Sequence, residues 1–156
     1  MANVEKVDDD KVPCYIFDID GTIANCEHRV HHAKAKEWDE FFGKVHLDEP
    51  IPHMIDLYRS LSTKAQCVFV SGRNDVCREE TTEWLRKHVV SYCAHFRLYM
   101  RRKNDRRADY FTKSDLLDQL LKDGFRPIMA FDDRDQVVRM WRERGIPCAQ
   151  VAPGNF

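Results

Sequence analysis

The sequence predicts an α/β domain with a mainly parallel sheet, flanked by helices and carrying a small insertion after the first strand. Short apolar runs with few polar breaks alternate with segments of helical periodicity along the chain. Such runs are typical of strands covered on both faces, as in parallel sheets. Their alternation with helices is typical of strand–helix–strand units. Several runs end in polar residues, and parallel sheets bind ligands at the carboxyl ends of their strands.

Five strands are predicted from these apolar runs. The first two are VPCYIFDI over 12–19 and QCVFVSG over 66–72. The remaining candidates are FRLYM over 96–100, RPIMAFDD over 126–133 and CAQVA over 148–152.

Four helices are predicted between the strands, from the spacing of apolar residues and from residues that cap helix ends. Asn74 and Asp75 are alternative N-caps for the second helix, and Gly124 is a stop signal for the third. The predicted helices cover 52–61, 75–88, 114–124 and 135–145.

Residues 23–50 interrupt this alternation and are predicted to form a polar insertion with a short helix over 35–43. Because the insertion follows the first strand directly, we expect it to lie over the carboxyl ends of the strands. Trp38, Phe41 and Phe42 have near-helical spacing, which predicts that they anchor the insertion to the core. We expect a single domain over 12–156, after a flexible polar leader over 1–11.

The composition favours a globular protein away from membranes. Of 156 residues, 43% are hydrophobic and 33% are charged, and the formal net charge is −1, which argues against a disordered chain. No apolar run approaches the roughly 20 residues that a membrane span needs. Six cysteines occur without a C-x-x-C pair, and Cys14 and Cys67 fall within strand-like runs. We therefore expect buried, reduced thiols and a cytoplasmic protein.

Carboxylates are concentrated where the predicted strands end. The stretch YIFDIDGT over 15–22 places Asp18 and Asp20 at the end of the first strand, and the fourth strand ends in Asp132 and Asp133. Carboxylates this close repel one another unless a positive charge lies between them. If the strands are parallel neighbours, these groups share one crevice, and a cluster of oxygen ligands favours Mg²⁺. The same crevice would receive Ser71, Gly72, Arg73 and Lys113.

This set of residues suits phosphoryl transfer. With a metal bound, one carboxylate could attack a phosphate ester and form an aspartyl-phosphate. A second carboxylate could protonate the leaving oxygen. Lys113, Ser71 and backbone amides near Gly21 could hold the phosphoryl oxygens. Each motif taken singly is weak evidence for catalysis, because a lone D-x-D is usually a turn and FDDRD alone is more often a helix cap. The occurrence of all the motifs in this order is what indicates phosphoryl transfer.

In this order, DIDGT, SGR, Lys113 and DDRD resemble the four motifs of the haloacid dehalogenase superfamily of phosphotransferases. The resemblance implies a Rossmann-like core and Mg²⁺-dependent chemistry, with Asp18 as nucleophile and Asp20 as general acid and base. It also implies that Ser71 and Lys113 bind the phosphoryl group and that Thr22 helps to position it. The metal ligands that it implies are Asp18, Asp20 through its backbone carbonyl, Asp132 and Asp133.

A narrower resemblance is to the 3′-phosphatase domain of bacteriophage polynucleotide kinases. It is carried by IFDIDGTIA, VSGR, RRKNDRRADYFTKSDLL, FDDRDQVVRMWRERGI and CAQVAPGNF, and it implies that Arg29, Arg73 and Asp105 belong to the active site. The kinase phosphate loop G-x-x-x-x-G-K-[ST] does not occur in this sequence. We therefore expect no kinase activity, in either a stand-alone phosphatase or a domain linked to a kinase or ligase in a longer protein.

The stretch 97–107 holds six basic residues in eleven, including Arg101 and Arg102. It predicts contact with nucleic-acid phosphates, although a solvated loop has the same composition. Core packing is the favoured interpretation, over base stacking, for the nearby aromatic residues. The histidines of the insertion lack a fourth ligand at metal spacing, which argues against zinc. The nearby aromatic residues are Tyr92, Phe96 and Tyr99, and the histidines are His28, His31 and His32. Trp84 and Trp141 are predicted separately, as core residues on helix faces.

The function that the sequence favours is Mg²⁺-dependent removal of a terminal 3′-phosphate from DNA or RNA. Nucleic acid 3′ ends are the expected partner, and no obligate protein partner is evident. Two alternatives stay open, namely a phosphatase of small molecules such as nucleotides and a non-catalytic nucleic-acid-binding module.

Overall fold

A computed structural model describes residues 10–91 and 93–156. Its main sheet has five parallel strands in the order β5-β4-β1-β6-β7, which confirms the predicted α/β fold with a parallel sheet. The strands of this sheet are β1 (Val12–Phe17), β4 (Gln66–Asn74), β5 (Arg97–Arg101), β6 (Phe125–Asp132) and β7 (Cys148–Gln150). A separate antiparallel ribbon pairs β2 (Ala24–Asn25) with β3 (Glu49–Pro50).

The helices agree with the predicted positions, with two differences. The third predicted helix begins at Asp109 rather than 114, which places Lys113 inside it, and the insertion holds two helices rather than one. The helices are α1 (Glu27–Lys34), α2 (Trp38–Gly43), α3 (Pro52–Ser62), α4 (Arg78–His88), α5 (Asp109–Lys122) and α6 (Asp135–Glu143), with 3₁₀ turns at Val45–Leu47 and Asp75–Cys77. Asn74 caps the second turn, since its side chain accepts a hydrogen bond from the Val76 amide at 3.1 Å.

Alternate residues of each strand pack against opposite faces of the sheet. Cys14 and Ile16 of β1 lie in the core cluster formed with α5 and α6. Phe17 lies in the other cluster, which includes residues of α3 and α4. Both faces of β1 are therefore buried, and only the strand ends are left for chemistry.

The order of the strands places the site. β1 is central, with β4 on one side and β6 on the other. The chain moves outward through β4 and β5 and then crosses to the other side of β1 through α5. This reversal leaves a crevice at the carboxyl end of β1, where open parallel sheets bind ligands.

Trp38 does not anchor the insertion to the core, so that prediction is wrong. Its side chain is 51% exposed, and α2 has no buried residue. The fully buried residues Arg29 and Val45 attach the insertion instead. A six-residue helix can turn only part of its surface inward, and here Phe42 packs partly against Val45 while Trp38 projects outward.

Several smaller predictions can be compared with the structure. Trp84, Trp141 and Tyr99 are buried, as predicted. All six cysteines are free thiols; four are buried, but Cys93 is exposed, contrary to expectation. Tyr92 and residues 1–9 of the predicted leader lie outside the described residues. No helix among the described residues is both long and apolar enough to cross a membrane.

Candidate active site

The carboxyl ends of β1 and β6 bring Asp18, Asp132 and Asp133 together. One carboxylate oxygen of each lies within 4.8 Å of the other two, and all three residues are buried. Phe17 and Phe131 are paired in the parallel ladder, so Asp18 and Asp132, which follow them, lie side by side. Oxygen ligands in this arrangement fit Mg²⁺. In the part of the chain that the structure describes, no other His, Cys, Asp or Glu side chains form such a group.

Lys113 of α5 supplies positive charge to these acids. Its Nζ donates hydrogen bonds of 2.8 Å to Asp18 Oδ1 and to Asp132 Oδ2. Lys113 is only 1% exposed, and pairing with two carboxylates offsets the cost of burying its charge. Trp141 Nε1 also donates to Asp132 Oδ2, at 3.2 Å. A tryptophan that the sequence indicated only as a core residue therefore also orients a carboxylate of the site.

Burial and mutual repulsion disfavour the ionised acids in this cluster. Burial, followed by the charge of Asp132, raises the pKa of Asp18 well above its ordinary value. The same two causes raise the pKa of Asp133 to about 6. Burial opposes the charge on Lys113, but Asp132 and Asp18 outweigh it and raise the pKa of Lys113. The cluster still favours an added cation, and a divalent metal would satisfy that requirement.

The turn after β1 fixes Asp18 and approaches Asp133 closely. Thr22 Oγ1 donates a hydrogen bond of 2.9 Å to Asp18 Oδ2. The amides of residues 22–24 donate to the carbonyl oxygen of Ile19. Gly21 has a φ of 78°, and a Cβ at this position would collide with the Asp133 carboxylate. Only glycine meets both demands, which explains the glycine of the D-x-D-G-T motif.

The Asp20 side chain lies apart from the three clustered carboxylates. Its Oδ1 accepts hydrogen bonds of 2.6 Å from both Arg29 and Arg73. Burial opposes ionisation of Asp20, but Arg73 and Arg29 outweigh it and lower the pKa of the carboxyl group. The structure therefore brings Asp20, Arg29 and Arg73 together and gives the Asp20 carboxylate arginine partners rather than carboxylate neighbours.

Asp48 is a member of this network that sequence reasoning missed. Its Oδ2 accepts from Arg29 at 2.7 Å and from Arg73 at 2.6 Å, and its Oδ1 accepts from Arg29 Nε at 2.7 Å. The His28 ring lies 2.8 Å from the same Oδ1, and Trp84 Nε1 donates to the Asp48 backbone oxygen at 2.7 Å. The sequence around it, HLDEP, carries no pattern that separates this aspartate from a solvated one.

The carboxyl end of β4 supplies Ser71, Gly72 and Arg73. Ser71 is 1% exposed, and its Oγ accepts a hydrogen bond of 3.1 Å from the Arg73 amide. The Gly72 carbonyl accepts from Arg101 Nε at 2.9 Å. A Cβ on Gly72 would collide with the carboxylate of Asp109. β4 thus joins the Asp20–Arg73 pair to the first turn of α5.

Asp109 lies next to Lys113, whereas Asp105, which the resemblance implied as an active-site residue, takes other partners. Asp109 Oδ2 is 3.6 Å from Lys113 Nζ. Asp105 instead accepts hydrogen bonds from Arg107 and, at 2.9 Å, from Thr112 Oγ1, and the bonds from Arg107 lower its pKa despite the opposing effect of burial. Asp109 precedes Lys113 by four residues, so both lie on one face of a helix. That spacing could have identified Asp109 if the helix had been predicted to begin there.

The two arginines predicted to contact substrate differ in their environments. The Arg101 guanidinium turns inward and binds the backbone oxygen of Arg107 at 2.7 Å and Asp109 Oδ1 at 3.1 Å. Arg101 therefore organises the loop, and its guanidinium already has protein partners. Arg102, Lys103 and Arg106 are exposed, and within residues 10–91 and 93–156 no hydrogen bond or ion pair engages their side chains.

A separate cavity of about 440 Å³ lies at the opposite end of β4. It is lined by residues that include Tyr58, Gln66, Cys67 and His95. None of the acidic or basic residues described above borders it. The chemistry available to this protein is therefore at the carboxyl ends of the strands, where buried carboxylates, a lysine and two arginines converge.

A family model agrees with this arrangement. The model described as the polynucleotide kinase PNKP phosphatase domain matches residues 12–156. Among curated proteins, a putative bifunctional polynucleotide kinase/RNA ligase of Autographa californica nuclear polyhedrosis virus is 33% identical over 143 residues. That alignment covers 88% of this chain and 19% of the viral protein, so this chain spans about a fifth of that relative's length.

Solved structures are similar to this chain as well. A chain of the Pnkp1/Rnl/Hen1 complex is similar with a TM-score of 0.78 and 27% identity, over 94% of this chain and 48% of that chain. A haloacid dehalogenase-like hydrolase from Streptococcus pneumoniae has a TM-score of 0.63 and 14% identity, covering 89% and 84% of the two chains. The second similarity, at low identity, concerns the fold alone.

Proposed function

This chain belongs to the family of polynucleotide kinase PNKP phosphatase domains, and from that premise we propose that it removes the terminal 3′-phosphate from a polynucleotide. The observation that carries the proposal is the convergence of Asp18, Asp132, Asp133 and Lys113 at the carboxyl ends of β1 and β6. Buried acids beside a lysine suit phosphoryl transfer, which depends on positioning and charge stabilisation.

Asp18 is the proposed nucleophile. A carboxylate oxygen of Asp18 attacks the phosphorus, so that a bond to this oxygen forms while the bond from phosphorus to the substrate 3′ oxygen breaks. The hydrogen bond from Thr22 Oγ1 limits rotation of the Asp18 side chain. Lys113 favours the ionised, reactive form of Asp18, which burial opposes.

Asp20 is the proposed general acid and base. It gives a proton to the departing 3′ oxygen, and in the second step it takes a proton from the water that attacks the aspartyl-phosphate. Hydrolysis releases inorganic phosphate and restores Asp18. Arg29 and Arg73 lower the pKa of Asp20, which suits the second step. The anionic substrate brings negative charge that acts in the opposite direction, and this favours the protonated form for the first step.

The negatively charged phosphoryl oxygens of the substrate need positively charged partners and hydrogen-bond donors. Lys113 and the Ser71 hydroxyl are the proposed side-chain partners, together with backbone amides of the turn at Gly21 and Thr22. Asp18, Asp132 and Asp133, with the backbone carbonyl of Asp20, would hold Mg²⁺. When bound, Mg²⁺ would neutralise charge on the acids and on the phosphoryl group.

The proposed substrates are RNA and DNA 3′ ends, and RNA is the first to test. The similar viral protein is named as a kinase/RNA ligase, and a second similar structure is that of an RNA repair complex. Those names support linkage of this phosphatase to end-healing or ligating enzymes. The exposed cations at Arg102, Lys103 and Arg106 support contact with a polynucleotide backbone.

The deciding experiment compares phosphate release from oligonucleotides ending in 3′-phosphate, 5′-phosphate and 2′,3′-cyclic phosphate, and from 3′-mononucleotides. We expect turnover of the 3′-phosphorylated oligonucleotide, its loss on chelation of divalent metal, and its restoration by Mg²⁺. The Asp18→Asn variant should fold and fail to release phosphate. Undiminished turnover by Asp18→Asn would remove Asp18 from the mechanism, and equal turnover of mononucleotides would favour a small-molecule phosphatase.

A further inference from the structure

The helix α2 presents an aromatic surface beside the site. Trp38, Phe41 and Phe42, here called the aromatic ledge, contact one another with ring centroids 5.2 to 6.3 Å apart. Phe41 and Phe42 are partly buried, whereas Trp38 is 51% exposed. About half of the Trp38 surface is therefore in water and available to a ligand, and covering it would remove apolar surface from solvent.

The ledge is connected to the acid–base pair of the site. The Arg29 guanidinium carbon lies 4.4 Å from the centroid of the Phe41 ring. The same guanidinium donates to Asp20 Oδ1 at 2.6 Å. Trp38 packs against Phe41 with the two rings nearly perpendicular. A chain of contacts through Phe41 and Arg29 therefore links the exposed tryptophan to the proposed general acid.

The ledge is also connected to the basic loop. Phe42 packs against the buried cluster of Val45, Cys77 and Met100, and Met100 directly precedes Arg101. Asn74, which caps the turn at Asp75–Cys77, donates its side-chain amide to the Lys103 backbone oxygen at 3.0 Å. The same group of packed residues thus contacts the aromatic ledge and supports the loop that carries three exposed cations.

We infer that Trp38 stacks on a base of a single-stranded polynucleotide near its 3′ end, while Arg102, Lys103 and Arg106 contact the backbone phosphates. Aromatic stacking combined with a basic groove is how proteins hold single strands without reading sequence. The inference rests on the proposed function, because it requires a polynucleotide end in the site. It makes Trp38 a determinant of specificity for polymers over mononucleotides.

Binding can be measured without turnover. Among the three tryptophans, Trp84 and Trp141 are 3% and 0% exposed, so an added ligand has access to Trp38 alone. In the Asp18→Asn background, titration with a single-stranded oligonucleotide should quench tryptophan fluorescence, and Trp38→Phe should remove that response. Quenching that persists in Trp38→Phe would contradict stacking on Trp38.

The dependence on bases separates stacking from a structural effect. Fluorescence anisotropy of a labelled strand measures the affinity. Trp38→Ala should bind the strand about tenfold more weakly than the parent protein, and Trp38→Phe should retain most of the affinity. For an abasic strand of equal length, Trp38→Ala and the parent protein should bind alike. Equal weakening for both strands would overturn the inference. Leu47→Ala is the matched control, since Leu47 is 57% exposed in the same insertion and lies outside the ledge.

The kinetic consequence is a change in preference between substrates. Trp38→Ala should raise KM for a 3′-phosphorylated oligonucleotide more than for a 3′-mononucleotide, with a smaller effect on kcat. An equal rise for both substrates would contradict the inference. Because quenching and anisotropy need no hydrolysis, absence of phosphatase activity would refute the proposed function and leave the binding result to decide the role of Trp38.

Discussion

Asp48 and Arg73 form an ion pair of 2.6 Å in which neither side chain is exposed to solvent. Asp48 comes from the end of the insertion and Arg73 from the end of β4, so this pair links the insertion to the sheet. Arg29 completes the link, because it binds both Asp48 and Asp20. The acid–base group of the proposed mechanism, Asp20, is therefore held by two arginines that also bind Asp48.

Replacing Asp48 should be costly. In Asp48→Ala, Arg29 and Arg73 would share only Asp20, and loss of one partner from a buried ion pair costs about 3–5 kcal/mol of unfolding free energy. Chemical denaturation measures the change. The control is Asp118→Ala, which removes an ion pair of the same 2.6 Å length with Arg144 at an exposed site and should cost about 1 kcal/mol or less. Similar costs for the two variants would contradict a special role for Asp48.

Lys113 should compete with a metal for the same carboxylates. Lys113→Met removes the only ammonium that binds Asp18 and Asp132 among the described residues. The variant should be less stable in chelator because the acids repel one another, and Mg²⁺ should raise its Tm more than it raises that of the parent. Thermal unfolding with chelator and with Mg²⁺ checks this. An equal or smaller shift in Lys113→Met would show that Lys113 and the ion do not compete for these acids.

Gly21 should tolerate no side chain. Gly21→Ala combines a positive φ with a collision against Asp133, whereas Gly124→Ala meets a φ of 92° with no atom within 4 Å of its Cβ. Placing a residue with a Cβ at a positive φ lowers the free energy of unfolding by roughly 1–2 kcal/mol. For Gly124→Ala we expect no further loss. Gly21→Ala should cost more and also lower phosphatase activity. Denaturation and phosphate release measure the two effects, and equal stability with full activity would refute the collision.

Asp109 and Asp105 should differ in their effects on activity. Asp109→Asn changes a carboxylate 3.6 Å from the Lys113 ammonium and should lower turnover of a 3′-phosphorylated oligonucleotide at least tenfold, on the order expected for a misplaced active-site group. Asp105→Asn loosens the loop by weakening its bonds to Arg107 and Thr112, and its main effect should be on stability. A larger loss of turnover in Asp105→Asn would support the active-site role that the resemblance implies for Asp105.

Thiol reactivity should follow burial. Burial raises the pKa of Cys14, Cys67 and Cys148 to about 12, so at about pH 8 only roughly one in ten thousand of these groups is the reactive thiolate. Their alkylation should therefore be slow and should accelerate as pH rises toward 12. Exposed Cys93 should be alkylated first. Mass spectrometry after timed alkylation measures the order, and early labelling of Cys14 would contradict the packing of β1.

The sequence by itself determined the strands, the edge of the sheet where the acidic residues emerge and the buried faces of the helices, because these depend on the order of residues within short segments. Apolar runs must be buried, so they predicted β1, β4 and β6, and acidic residues directly after them had to emerge at one edge of a parallel sheet. Helical spacing likewise predicted that Trp84 and Trp141 are buried. These inferences need only the periodicity of strands and helices.

Only the tertiary structure decided which partner each polar side chain takes. Asp48 binds Arg29 and Arg73 across intervals of 19 and 25 residues, Arg101 turns inward, and Asp109 rather than Asp105 approaches Lys113. Trp38 is exposed because α2 touches the domain along only part of its surface. Ion pairs and exposure depend on distances between segments that are remote in the chain, and no local pattern of residues encodes those distances.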